Sequence, residues 1–490
     1  MPTKAPSPLR SAGALQIDQY AIQNAVDYAL MNESIVIIGA GAAGLAAARE
    51  LSRARREVIV LEARDRVGGR VFTHKDADSP VPIELGAEFV HGKAPELWQM
   101  TTAANLKLYE VSQRRWYFEN GKVSKAGEFW RKIESLTDKM KSSERDQSLK
   151  DFLASLPDDE KTHRAKAMLV RYVEGFDAAN IERVGIQGLV KENEAADEIE
   201  GNKAFRFIDG YDSLMEVMKA EAESYGAEFR LSTVVNEVRW SGEQIEISCA
   251  TLRGASSSSN LSAAHVIVTL PLGVLKSSVE DSGAVRFSPH LPPDKQSAIE
   301  NLPMGNVVKI NLRFHGRFWE TAKMWDEDGN LVDFHDAGFF HCPGAPLPTW
   351  WTQLPVRAPL LVGWTGGPNA SGLLEAAGGS QQTAGASDYA IDSTLLDQAI
   401  GSLARIFNLS RGEIEAQMQA SYAHNWRDDP FSRGAYAYVP VDSLELQQIL
   451  ARPIDNKLFF AGEATSIGHI GTVHGAIQSG QRVAREILSL

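Results

Sequence analysis

The sequence predicts an α/β fold with a parallel-sheet core and at least one further domain, on three observations. Ile35 to Ile38 is a continuous apolar run, the pattern of a strand buried on both faces. A glycine-rich turn (Gly39 to Gly44), an Ala/Leu-rich helix (Leu45 to Arg53) and a second apolar run (Glu57 to Leu61) follow it, making a β-α-β unit within about 30 residues. The chain has 490 residues, more than one hydrophobic core supports.

The remaining elements are read in order. A polar, mostly helical stretch runs from about Pro95 to Arg206. It holds a mixed-charge helix, Trp130 to Lys150, and a charged loop, Lys191 to Glu200. Asp209-Gly210-Tyr211 turns into a helix from Ser213. Val234 to Val238 and Ile245 to Cys249 alternate like strands, and the Ser-rich Ala255 to Ser262 reads as an exposed hairpin. Val266 to Leu270 is a second buried strand. Pro293 to Asn425 mixes strands, aromatic residues and loops, with a surface insertion at Gly378 to Ser387. The strand Leu458 to Ala461 and a helix from Val473 to Leu488 close the chain.

Composition narrows the function. The net charge of −13 argues against nucleic acid as a partner and is compatible with cationic ligands. Two cysteines, Cys249 and Cys342, exclude a disulfide framework and a multi-cysteine metal site, and fit a reducing cytoplasm. No apolar run reaches the roughly 18 residues of a membrane span. Met1 to Met31 lacks a signal-peptide pattern and reads as an amphipathic helix or loose tail. There is no G-x-S-x-G and no His/Cys metal spacing, so no metal is expected.

Gly39-Ala40-Gly41-Ala42-Ala43-Gly44 matches G-x-G-x-x-G. The first glycine makes the tight turn, the second admits a pyrophosphate, and the third lets helix and strand pack. The helix start offers N–H groups and a positive dipole end to phosphates. Glu62 ends the next strand, where a carboxylate binds ribose hydroxyls. Arg64 to Arg70 reads R-D-R-V-G-G-R. Gly68 and Gly69 permit close backbone approach, and Arg70 can hold a phosphate. Directly after the acidic ribose residue, this segment points to FAD rather than NAD.

Ile35 to Arg70, Gly86-Ala87-Glu88-Phe89-Val90-His91-Gly92, Met304 to Lys309 and Gly462 to Gly480 together resemble the flavin-containing amine oxidase family. The resemblance runs from about residue 33 to the C-terminus and is loosest between Pro95 and Arg206. It implies an FAD-binding Rossmann-like domain of the GR2 type from residues 33–105, 206–292 and 428–490. A substrate-binding α+β domain with a mixed sheet, 106–205 and 293–427, is interleaved with it, after an N-terminal extension, 1–32. The FAD contacts it implies are Gly39, Gly41, Ala43, Gly44, Glu62, Ala63, Arg64, Gly69, Arg70, Gly86, Ala87, Glu88, Val235, Gly462, Glu463, Thr472 and Val473. Glu463 would approach the ribityl-phosphate region. The start of the last helix would lie beneath the flavin ring, with His474 itself a capping or packing residue.

On pattern alone Lys309 is a solvated strand lysine facing away from apolar Ile310, Leu312 and Phe314. In similar family members a lysine after M-G-x-x-x holds a water against the flavin, which makes Lys309 a catalytic candidate. His91, in a histidine–glycine pair similar to the polyamine and spermine oxidase branch, and Tyr436, in a segment resembling W-x-x-x-P-[FY]-x-x-G-x-[YF], are the others. Phe176, His91, Tyr436 and Thr472 are expected at the substrate. Thr472 stands where monoamine oxidases carry a tyrosine, so a two-aromatic cage is incomplete. No cysteine precedes Tyr436 nearby, so the FAD is expected to be non-covalent. The implied activity is oxidation of an amine, a polyamine or other alkyl amine first, with O2 reduced to hydrogen peroxide by a monomer or homodimer. Monoamine oxidase and L-amino-acid oxidase are alternatives, the latter needing an arginine such as Arg171 or Arg206. An FAD-binding interaction module with little turnover is the non-enzymatic alternative.

Overall fold

Ile35–Ile38 is the central strand of a five-stranded parallel sheet ordered Glu228–Arg230, Val58–Leu61, Ile35–Ile38, His265–Val268, Leu458–Phe460. Its residues alternate between two apolar clusters. Ile35 and Ile37 pack with the helices Ala42–Arg53, Asp212–Ser224 and Val473–Leu488, while Val36 and Ile38 pack with the strands Thr233–Arg239 and Ile245–Thr251. Burial on both faces is why the run carries no polar residue. The computed structural model describes residues 34–119, 122–125, 129–157, 159–252, 258–326, 328–378 and 391–490. The extension 1–32, residues 255–257 of the Ser-rich hairpin and most of the Gly378 to Ser387 stretch lie outside them.

The second large sheet has seven strands and is mixed. Its order is Met418–Ala423, Val307–Phe314, Leu360–Gly366, Thr349–Trp351, Phe339–His341, Arg115–Glu119, Lys122–Lys125, with Phe339–His341 parallel to Arg115–Glu119. Val308, Ile310, Leu312 and Phe314 enter a core with the helix Ser393–Phe407. The opposite face of that strand carries Lys309, Asn311 and Arg313. Lys309 does point away from the apolar side, but not into solvent, since all eight residues of the strand are buried. The segment 84–88 covers the polar face, with Asn311 Nδ2 donating to Glu84 O at 3.2 Å and Lys309 Nζ to Gly86 O at 3.0 Å.

Several expected elements differ. The helix at the glycine turn begins at Ala42, three residues before the expected Leu45. The expected helix Trp130 to Lys150 is two, Phe129–Lys141 and Leu149–Ser155, because Ser148 caps the second by accepting from Asp151 N. The charged loop Lys191 to Glu200 is mostly helix, Ile186–Glu198. Ile186, Leu189 and Val190 anchor one face of it, while Lys191, Glu194, Asp197 and Glu198 are exposed. Between Pro95 and Arg206 there are also strands, Leu108–Glu110, Arg115–Glu119 and Lys122–Lys125. Among the described residues no helix is long and apolar enough to cross a membrane.

Candidate active site

The glycine turn opens a cavity. Gly39 has φ +104°, a conformation that side chains resist, and its N–H donates to Leu61 O at 2.8 Å. A Cβ at Gly44 would lie 2.0 Å from Gly39 O, so this glycine sets the approach of helix to strand. A Cβ at Gly41 would meet nothing within 4 Å, because that face looks into the cavity. No side chain caps the helix Ala42–Arg53, which leaves the amides of its first turn to a ligand. Glu62 is buried at the end of the second strand, where its carboxylate accepts from Ala40 N at 2.7 Å and Arg64 N at 2.9 Å. An uncapped helix start, an open glycine and a carboxylate one strand away fit the phosphates and ribose of a dinucleotide.

Arg64 and Arg70 have protein partners. Arg64 Nη2 donates to both oxygens of Asp429 at 2.8 Å. Arg70 Nη1 donates to Ala435 O at 2.6 Å and Glu463 Oε1 at 2.9 Å, so it is neutralised by a carboxylate where a phosphate was expected. Glu463 Oε2 in turn accepts from Gly471 N at 3.0 Å, tying this corner to the loop before the last helix. Thr472 caps that helix, accepting from Gly475 N at 3.0 Å and donating to His469 O at 2.7 Å. His474 is buried against His469, and burial pushes it down to about 3.

The cavity has a volume of about 940 Å³. It continues from the glycine turn to a second wall, where Lys309 meets Glu88 Oε2 at 2.7 Å. Glu88 also meets Arg206 Nε at 2.7 Å and accepts from Trp351 Nε1 at 2.9 Å. Neither ion pair has hydrogen-bond angles, so the attraction is Coulombic. Burial alone would raise the Glu88 carboxyl, but Lys309 and Arg206 hold it below its ordinary value. Arg206 is buried against Glu88 and is not among the residues that line the cavity.

The third wall is aromatic and acidic. Phe176 is 45% exposed, a large apolar ring left open on the cavity. It stacks on Tyr172 at 5.1 Å and meets His91 edge-on at 5.3 Å. Tyr436 Oη donates to Phe176 O at 2.5 Å, which fixes the Tyr436 ring. Burial pushes His91 down to about 4, so it is neutral at physiological pH. Asp177 and Glu192 also face the cavity.

Every site residue expected from the sequence lines this one cavity except Gly44, whose place is in the packing beneath it. Trp351, Trp364, Tyr172, Asp177 and Glu192 line it too and were not singled out from the sequence. Trp351 and Trp364 sit in apolar strands, where a tryptophan reads as core. Glu192 lay in a stretch read as loop, although Ile186, Leu189 and Val190 carry helical spacing.

Residues 42–488 match the family model described as flavin containing amine oxidoreductase. "Probable polyamine oxidase 4" of Arabidopsis thaliana is 27% identical over 91% of this chain and 85% of its own length. "Lysine-specific histone demethylase 1 homolog 3" of the same plant is 28% identical over 94% of this chain, which spans only 30% of that relative. A wild-type putrescine oxidase bound to putrescine has a similar structure, with a TM-score of 0.72 at 20% identity over 94% of this chain and 99% of the other.

Proposed function

We propose, from the premise that this chain belongs to the flavin containing amine oxidoreductase family, that it oxidises a linear alkyl amine, a polyamine first. The observation that carries the reading is a single cavity joining the glycine turn to a wall of Lys309, Trp351 and Tyr436, with carboxylates beyond. FAD, when bound, supplies the hydride acceptor for the carbon beside the amine nitrogen and passes the electrons to O2, giving hydrogen peroxide.

The chain's own residues bind and orient. The first turn of Ala42–Arg53 and Glu62 would hold the cofactor's phosphates and ribose. Lys309 has three donors, of which one is held by Gly86 O and a second is drawn toward Glu88 by charge alone. We assign the third to a water facing the cavity. Tyr436 and Phe176 form an apolar wall that orients the substrate chain and excludes water. Neutral His91 adds no positive charge to repel a cation. No cysteine lines the cavity, which supports a non-covalent cofactor. The same reading keeps 33–105, 206–292 and 428–490 as the FAD domain and the segments between as the substrate domain. Both cysteines are free and buried, which supports a reducing, cytoplasmic setting.

An amine panel tests this. Specificity constants for spermidine, spermine and their acetylated forms are compared with those for benzylamine, tyramine, L-amino acids and a methyl-lysine peptide, with peroxide detection. Polyamines are expected to lead, and denaturation of the same preparation should release the flavin. Aryl monoamines or amino acids well ahead of every polyamine would refute the substrate class. The likeness to demethylases favours the methyl-lysine peptide as second reading. No flavin reduction by any amine would leave only a binding module.

A further inference from the structure

Asp177 and Glu192 reach the cavity from different elements. Asp177 lies just past the end of the helix Glu160–Gly175, and Glu192 is on the helix Ile186–Glu198. Glu192 Oε1 is sealed from solvent and has no hydrogen-bond partner. Among the described residues neither carboxylate has a cationic partner. Their neighbours are Tyr172 and Tyr436, whose own ionisation Asp177 opposes. Two carboxylates enclosed together repel each other, and burial raises both, Asp177 to about 8. Such a pair is stable only with a shared proton or a cation. Asp177 adjoins Phe176, whose carbonyl takes the Tyr436 hydroxyl, so the pair borders the aromatic wall.

We propose that Asp177 and Glu192 form a subsite for the second, non-reacting ammonium group of a linear di- or polyamine. The reacting nitrogen of the same molecule lies toward Tyr436 and Lys309, and its methylenes run along Phe176 and Tyr172. The proposal rests on the amine-oxidase reading above and adds which amines that site selects.

The test uses the FAD-loaded enzyme. Specificity constants for a linear diamine and for the n-alkyl monoamine of equal length are measured in wild type, Asp177→Asn, Glu192→Gln and the charge-preserving Asp177→Glu. The neutral variants are expected to lose about 10- to 100-fold on the diamine, mostly through KM, as removal of a charge-assisted hydrogen bond implies. Their monoamine constant should hold, and Asp177→Glu should retain the diamine preference. Equal losses on both substrates, or an unchanged diamine constant, would overturn the subsite while leaving amine oxidation intact. A wild type that oxidises the monoamine as well as the diamine would overturn it too. Flavin that no amine reduces would overturn both readings. Bound flavin and melting temperature, measured on each variant, separate a lost subsite from a lost fold.

Discussion

Glu88 and the Asp177–Glu192 pair are acidic groups on the same cavity, and the fold treats them in opposite ways. Glu88 is enclosed by Lys309 and Arg206, each at 2.7 Å, with Trp351 Nε1 donating to the oxygen that Arg206 also faces. Its charge is balanced by the chain itself. Asp177 and Glu192 are held together with phenols and apolar rings and, among the described residues, no cation. Their charge is left for a proton or a ligand. A buried charge that the fold neutralises is a fixed part of the site. One that it leaves open marks where an external cation belongs.

The largest effect that would sharpen this contrast is expected at Glu88→Gln. It strips Lys309 and Arg206 of their shared counter-ion, so unfolding in urea should show a loss of about 3–5 kcal/mol. Stability within about 0.5 kcal/mol of wild type, the range of ordinary surface changes, would mean that water already balances those cations. Lys309→Met should cost less, about 1–3 kcal/mol, because Glu88 keeps Arg206 and Trp351. Rapid-mixing absorbance should then show flavin still bound but reduced or reoxidised more slowly. Unchanged rates would restrict Lys309 to a structural pairing with Glu88.

The smallest effect on stability is expected at the open pair. Asp177→Asn with Glu192→Gln replaces a protonated pair by neutral amides at low pH and should leave stability within about 1 kcal/mol of wild type at or below the unfolded value of 3.8. The pH dependence should separate them. The folded chain holds a proton on Asp177 up to about 8, whereas the unfolded chain releases it near the ordinary 3.8. That contribution is complete below the unfolded value and is lost as pH rises through about 8, and Glu192 acts in the same direction. The double variant should therefore gain on wild type between pH 5 and pH 9. Tyr172 and Tyr436, which face the pair, are raised and stay neutral across that range. Glu84, also raised to about 8, is present in both proteins and cancels in the comparison. Parallel stability curves would show that the pair already has a cation.

Much of the cofactor side was legible because its signals are local. Gly39, Gly41 and Gly44 lie within six residues, and the turn, the open face and the close packing that they provide are all determined over that span. The helix Val473–Leu488 was legible end to end, since its apolar residues recur at helical spacing behind a Thr472 cap. Lys309 was placed on the polar face of its strand by alternation alone, but its solvation was misjudged. Alternation tells which face a residue takes, not what covers that face, and the cover here comes from residues 84–88, more than 200 positions away.

The sequence by itself determined the β-α-β unit, the amine oxidase motifs and the residues that carry them, because each depends on neighbours within a turn or a strand. Only the tertiary structure decided which charges are balanced. Arg206 is one of two arginines that the sequence offers for the amino-acid-oxidase alternative, and nothing in the sequence pairs it with Glu88, which it meets across 118 positions of chain. Asp177 and Glu192 are 15 positions apart, one just past the end of a helix and the other on the next helix, with nothing in their spacing to say that they share a wall. Coulomb energy depends on distance and on the medium between charges, and neither is set until the helices and the two sheets have closed around the cavity.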